Sequence, residues 1–172
     1  LLKKGNLVLT QEVLSFEKNI CDFTGMKYCL GLNSGTDALM MSLWALGIKK
    51  GDEVITTPIS FIASAGAIVH VGAKPVFVDI QDDLNINPNL IEKSITNKTK
   101  AIMPVHWGGK ICDMDPIVAL SKKYKIPIIE DAAQGMGAYY KGRHCGTFGE
   151  IAAFSGHPLK NLAAIGDSGF IV

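Results

Sequence analysis

The sequence predicts an α/β fold with a mostly parallel sheet covered by helices on both faces. Three observations carry that expectation. Apolar runs alternate with segments of helical periodicity along the whole chain. Several of those runs, such as 101–105 and 126–129, are wholly apolar, as strands buried on both faces are. The connections are short and rich in turn residues, which suits helices crossing between parallel strands. At 172 residues the chain is long enough to bury one substantial core.

Taken in order, Thr10 stands where a helix over 11–23 needs its cap. Val13, Phe16, Ile20 and Phe23 share one face of that helix, and Gly25 stops it. An apolar strand at 28–32 leads into the turn Asn33-Ser34-Gly35-Thr36. A helix follows over 37–46, with Gly47 at its C-terminal end. Gly51-Asp52 turns into a strand at 53–57. Small apolar residues build a helix over 60–71, ended by Gly72. Residues 75–80 read as a strand, 81–87 as a polar loop, and 88–95 as a helix with Pro88 in its first turn. A buried strand at 101–105 leaves through His106-Trp107-Gly108-Gly109. Asp113 or Asp115 caps a helix over 116–124. The strand at 126–129 runs straight into Glu130-Asp131. Residues 139–143 read as a strand and turn, and the apolar stretches 149–155 and 169–172 complete the series.

Hydrophobic residues make up 48% of the chain and charged residues 19%, the balance of a soluble globular domain. The net charge is +1 and the basic residues are scattered. Neither nucleic acid nor an anionic membrane finds a basic stripe here. No apolar run is long enough to cross a bilayer, and the opening Leu1-Leu2-Lys3-Lys4-Gly5-Asn6 lacks the apolar core of a secretion signal. The four cysteines, Cys21, Cys29, Cys112 and Cys145, form no CxxC pair and read as reduced thiols of a cytoplasmic protein. The chain starts without Met and stops on Phe170-Ile171-Val172, which reads as the inside of a strand. The expectation is a piece of a longer chain.

Parallel sheets place ligands at the carboxyl ends of their strands, and three stretches fall there. In Asn33-Ser34-Gly35-Thr36-Asp37, Gly35 permits close backbone approach. Free N–H groups of the first helical turn and the hydroxyls of Ser34 and Thr36 suit a phosphate, the alternative being an ordinary capped helix start. Neither a Walker loop nor a GxGxxG is present. Asp131 puts a carboxylate at the rim of a buried sheet, where it needs a cation or several donors. It reads as a helix cap, a structural ion pair, or a partner for a protonated ring nitrogen. Ser155 and Lys160 follow a buried-looking run, and a lysine held out of water is an amine nucleophile toward an aldehyde. A phosphate cradle, a carboxylate and an amine match the phosphate, pyridinium nitrogen and aldehyde of pyridoxal 5′-phosphate. Phe61 is then either a core phenylalanine or the aromatic that stacks on the pyridine face.

On these residues the chain resembles the DegT/DnrJ/StrS family of pyridoxal-phosphate-dependent sugar aminotransferases. The matching stretches include NSGTDAL (33–39), GDEVITTPISFIASA (51–65), IEDAAQGMGA (129–138), YKGRHCGTFGE (140–150), FSGHPLKNL (154–162) and GDSGFIV (166–172). The resemblance implies the aspartate aminotransferase-like fold of type I, a three-layer α-β-α sandwich. It makes residues 1–172 the cofactor-binding large domain, with a small C-terminal domain beyond this chain. It implies that Lys160 is the Schiff-base lysine, that Asp131 pairs with the ring nitrogen, and that Gln134 lies near the ring oxygen. Phe61 then stacks on the ring, and Gly35, Thr36 and Ser155 contact the phosphate. It also implies glutamate as amino donor, a nucleotide-linked keto sugar as acceptor, and a homodimer with shared active sites. Four positions stand apart. Gly156 replaces the larger residue usual in the family, which predicts a slightly more open site. His106 and Trp107 lie on a rim loop within reach of substrate, while His157 reads as structural. Sugar dehydratases on this scaffold carry His where Lys160 stands, so transamination is preferred. The other alternative is a regulatory protein that keeps the scaffold without turnover.

Overall fold

The computed structural model describes Gly5 and residues 8–172; the remaining residues of the opening segment read for a secretion signal lie outside the described residues. Helix α1 (Gln11–Thr24) comes first, then strand β1 (Leu30–Leu32), helix α2 (Gly35–Ala45), β2 (Glu53–Thr56), α3 (Ile62–His70) and β3 (Lys74–Phe77). A short helix α4 (Pro88–Ile91) tightens into a 3₁₀ turn (Glu92–Ser94). Strand β4 (Thr99–Ile102), a second 3₁₀ turn (Trp107–Gly109), α5 (Met114–Tyr124) and β5 (Ile129–Asp131) follow. The hairpin β6 (Tyr139–Tyr140) and β7 (Arg143–His144) precedes β8 (Ile151–Ser155) and β9 (Gly169–Ile171). None of the helices described is long and apolar enough to cross a membrane.

Strands β3, β2 and β4 pair in parallel, and β5 pairs in parallel with β8. Two parallel bridges, Ile102 with Ile128 and Val105 with Asp131, join the two groups. The Asp131 amide donates to the Pro104 carbonyl at 2.9 Å across that seam. One sheet results, in the order β1-β9-β8-β5-β4-β2-β3, and β5 is its middle strand. Strand β9 runs antiparallel to both its neighbours.

Side chains alternate across this sheet with period two, and the alternation sorts the core into two layers. Val54, Ala101, Met103, Ile129 and Ala153 pack with Leu39 and Leu43 of α2 and Ala67 and Ile68 of α3. Ile55, Ile102, Ile128, Ala152 and Phe154 pack on the other face with Ile20 of α1, Ile91 of α4 and Ile117 of α5. The molecule is therefore the three-layer α-β-α sandwich expected.

Four local readings shift. The strand expected at 126–129 makes its regular ladder over Ile129–Asp131, because Pro127 has no N–H to give and the Ile128 amide goes to the Glu150 carboxylate at 2.6 Å. Asp131 is thus the last residue of the strand itself. The helix expected from residue 60 begins at Ile62, with Phe61 extended at its N-cap. Thr10 occupies the cap position of α1 without capping by its side chain. Neither Asp113 nor Asp115 caps α5: Asp113 accepts from the Tyr140 hydroxyl at 2.5 Å and Asp115 pairs with Lys141. Both tie α5 to the β6–β7 hairpin. Its turn, Lys141-Gly142, has positive φ at both residues (49° and 79°), as a two-residue hairpin of type I′ requires.

Glu130 locks the middle of the sheet from below. Its side chain is fully buried and accepts from His106 Nε2 (2.9 Å) and from the backbone N–H groups of Gly146 (2.8 Å), Phe148 (2.6 Å) and Gly149 (2.8 Å). Burial alone pushes its pKa up. The His106 bond and the amides outweigh that and hold Glu130 below the ordinary glutamate value. A depressed carboxylate stabilises the fold fully above its unfolded pKa and loses that contribution as pH falls through the folded one. Replacing Glu130 with Ala strands four donors, so urea unfolding should show a loss of about 3–5 kcal/mol. Glu130→Gln should also flatten the acid limb of the stability–pH profile. A loss below about 1 kcal/mol would show that Glu130 does not hold the segment 146–149 that follows β7.

Candidate active site

A cavity of about 500 Å³ opens at the carboxyl ends of the parallel strands, where open α/β sheets bind ligands. The ends of β4, β5 and β8 and the starts of α2 and α3 surround it. All eight site residues expected from the sequence line it: Ser34, Gly35, Thr36, Phe61, Asp131, Gln134, Ser155 and Lys160.

One corner is built for an anion. The Ser34 hydroxyl accepts from the Asp37 amide at 3.1 Å and so starts α2. The amides of Gly35 and Thr36 have no partner among the described residues and sit at the positive end of the helix. Ser155 comes in from the end of β8. A Cβ on Gly35 would lie 2.7 Å from the Ser155 Cβ, and one on Gly169 would lie 2.3 Å from the Ser34 carbonyl carbon. These two glycines let helix, β8 and β9 meet closely enough to put amides and hydroxyls on one point.

Asp131 lies on the opposite face of β5 from Glu130 and is buried. It receives the Ser64 hydroxyl at 2.5 Å and the Ala133 amide at 3.3 Å. Burial pushes its pKa up. The Ser64 and Ala133 bonds and, less strongly, His106 and Lys160 pull it down without cancelling the rise. Two donors are few for a buried carboxylate, which has about four acceptor positions.

Lys160 sits partly buried on the loop between β8 and β9. That loop is closed by Gly156 N to Ser168 O (2.8 Å) and Ala164 N to Gly156 O (2.9 Å), while Lys160 N to His157 O (2.8 Å) sets the turn that carries the lysine. Phe61 is 65% exposed, so it is not a core phenylalanine and its ring is free to cover a ligand. Gln134 Oε1 accepts from the Gly108 amide at 2.7 Å, which fixes the orientation of the side-chain amide and leaves its NH₂ as the free end.

Three expectations change. His106 does line the cavity, but from its floor and not its rim, since it is fully buried. Its Nδ1 accepts from the Cys112 amide (3.3 Å), so the hydrogen is on Nε2, facing Glu130. Trp107 is partly exposed, but it does not line the cavity; its amide donates to Asn85 Oδ1 at 3.0 Å. Gly156 does not open the site. It is buried, and a Cβ there would fall 2.1 Å from Ser168 Oγ, so Ser168 occupies the space a larger residue would take. His157 does line the cavity, and its Nδ1 accepts from the Leu159 amide at 3.1 Å.

The sequence reading missed Ser60 and Ser64, and it passed over Glu130 beside Asp131. The sequence marks Ser64 only as the one hydroxyl of α3, a helix whose other residues are apolar or glycine except His70 at its end; it does not show where that hydroxyl points.

The family model described as the DegT/DnrJ/EryC1/StrS aminotransferase family matches residues 1–172. The chain belongs to that family. It is 45% identical over 171 residues to the UDP-2-acetamido-2-deoxy-3-oxo-D-glucuronate aminotransferase of Pseudomonas aeruginosa, covering 99% of this chain and 48% of that protein. It is 44% identical over 172 residues to a protein of Geobacillus stearothermophilus named a pleiotropic regulatory protein, covering 99% and 46%. Among solved structures it superposes on DesV of S. venezuelae with a TM-score of 0.96 at 42% identity, covering 99% and 46%. It superposes on NtdA of Bacillus subtilis, solved with bound cofactor PMP, with a TM-score of 0.95 at 38% identity, covering 100% and 39%. The chain therefore spans about half the length of the curated relatives it matches, and its fold is that of pyridoxal-phosphate-dependent aminotransferases.

Gly35→Ala forces the start of α2 away from Ser155. Titration of the whole protein with pyridoxal phosphate should show affinity at least about tenfold weaker, one hydrogen bond to a charged group being worth that much. Unchanged affinity would mean that this corner does not hold the phosphate.

Proposed function

We propose that this chain is the cofactor-binding part of an aminotransferase that moves an amino group from glutamate to a nucleotide-linked keto sugar. The observation that carries the reading is the convergence of three groups on one cavity: a buried carboxylate with few donors, a helix start with free amides, and a primary amine.

Pyridoxal phosphate fits these residues on two structural grounds. The Gly35–Ser155 approach makes an anion corner that a single added carbon would fill. Buried Asp131 has few donors and its pKa is raised by burial, and a ring N–H⁺ is a cation that would favour its ionised form. When bound, the cofactor supplies an aldehyde that captures amines and a ring that takes up the electrons of a carbanion. The Gly35 and Thr36 amides and the Thr36 and Ser155 hydroxyls bind its phosphate at the positive end of α2. Asp131 holds the proton on the ring nitrogen. Phe61 covers one ring face, and the Gln134 NH₂ donates toward the ring oxygen. Lys160 Nζ anchors the aldehyde carbon. As a free amine, that same nitrogen would be the base placed to take the proton from glutamate Cα. It works in reverse on the keto sugar.

The acceptor class is supported by the name of the Pseudomonas relative, an aminotransferase of a UDP-linked 3-oxo sugar acid. The name of the Geobacillus relative supports a second reading, regulation without turnover. The presence of Lys160, Asp131 and the anion corner together favours catalysis. The small C-terminal domain and a second subunit, each completing the cavity, belong to the same proposal.

The whole protein loaded with pyridoxal phosphate should lose its visible cofactor band on addition of glutamate and release 2-oxoglutarate. Lys160→Ala should lower turnover by on the order of a thousandfold or more. Cofactor binding with an unchanged spectrum and no 2-oxoglutarate would favour the regulatory reading.

A further inference from the structure

Helix α3 hides a polar device in an apolar stretch. Ser64 is buried, in a helical run whose neighbours in sequence are alanines and isoleucines. A serine inside a helix ordinarily points to solvent or bonds back to the carbonyl four residues earlier. Ser42 of α2 does the latter, reaching Ala38 O at 2.7 Å. Ser64 instead spans the gap between helix and sheet and gives its hydrogen to Asp131 Oδ2 at 2.5 Å. A hydroxyl has one hydrogen. The 2.5 Å contact between Ser60 Oγ and Ser64 Oγ is therefore made with the Ser60 hydrogen. The result is a directed chain, Ser60 to Ser64 to Asp131, starting from a residue that lines the cavity.

We propose that Ser64, backed by Ser60, is a positioning residue that fixes the Asp131 carboxylate and keeps it a weaker base, so that the proton stays on the bound ring nitrogen. The inference rests on the reading that Asp131 faces that nitrogen. Each hydrogen bond in such a chain polarises the next, and a donor to the charged form of a carboxylate lowers its basicity. The other donor, the Ala133 amide at 3.3 Å, is long. The titratable groups facing Asp131 from other elements are Lys160, on the β8–β9 loop, and His106, after β4. The His106 Nε2–H is committed to Glu130, so the serine chain is the short, directed contact on Asp131. The geometry also links two functions in one helical turn. Phe61 at the N-cap covers the ring face, and Ser64 three residues on sets the partner of the ring nitrogen.

The test uses the whole protein loaded with pyridoxal phosphate carrying ¹⁵N at the ring nitrogen, whose NMR shift reports protonation directly. At neutral pH the wild-type resonance should lie at the protonated-pyridine position. Ser64→Ala should move it toward the unprotonated position, and Ser60→Ala should move it the same way by less. A merely structural serine would leave the shift alone. Wild-type resonances in both variants would overturn the proposal, and where Ser64→Ala does not fold, a wild-type resonance in Ser60→Ala overturns it alone. Asp131→Asn separates the two levels. If it too keeps the wild-type shift, the assignment of Asp131 to the ring nitrogen fails, and not the serine chain alone.

Discussion

Two consecutive carboxylates are buried at the end of the middle strand, and the structure answers them in opposite ways. The two-residue period of β5 sends Glu130 to one face of the sheet and Asp131 to the other. Glu130 meets His106 and three amides and becomes a fixed post. It anchors the loop after the β6–β7 hairpin and holds His106 at the cavity floor. Asp131 meets two donors and keeps acceptor capacity toward the cavity. An isolated buried charge is costly. A site that leaves one under-satisfied is ready for a cation, and a protonated ring nitrogen is the cation that the proposed function assigns to it.

The remaining groups reach that point because the sheet is parallel. Its strands β4, β5 and β8 end on the same side, and the helices that follow β1 and β2 start there. The antiparallel β9 contributes differently. Its Gly169 lies against the Ser34 carbonyl, and Gly35 lies against Ser155, so backbone contact sets the anion corner. The Lys160 loop is what the chain does between β8 and β9, closed on itself by the bonds at Gly156.

Much of this was legible in the residues. Wholly apolar runs such as 101–105 and 126–129 marked strands covered on both faces, and Ser34 before Gly35 marked a helix start at a strand end. Asp131 and Lys160 stood out because charge followed apolar runs. What was not legible depended on contacts distant in sequence. Ser64 meets Asp131 across 67 positions, and nothing local marks a serine as reaching outward instead of bonding back. His106 read as a loop residue because its buried partners, Glu130 and the Cys112 amide, lie 24 and 6 positions away. Gly156 read as an opening because Ser168, which fills the space, lies on the far side of the loop. The direction of β9 was equally hidden, since antiparallel and parallel strands share a period.

The central claim is that one cofactor joins the anion corner, Asp131 and Lys160. A crystal structure of the whole protein grown with pyridoxal phosphate tests it most directly. The phosphate should lie within hydrogen-bond distance of the Gly35 and Thr36 amides and Ser155 Oγ, the ring nitrogen on the Asp131 carboxylate, and the aldehyde carbon at Lys160 Nζ. A phosphate bound elsewhere, or a ring nitrogen facing away from Asp131, would contradict it.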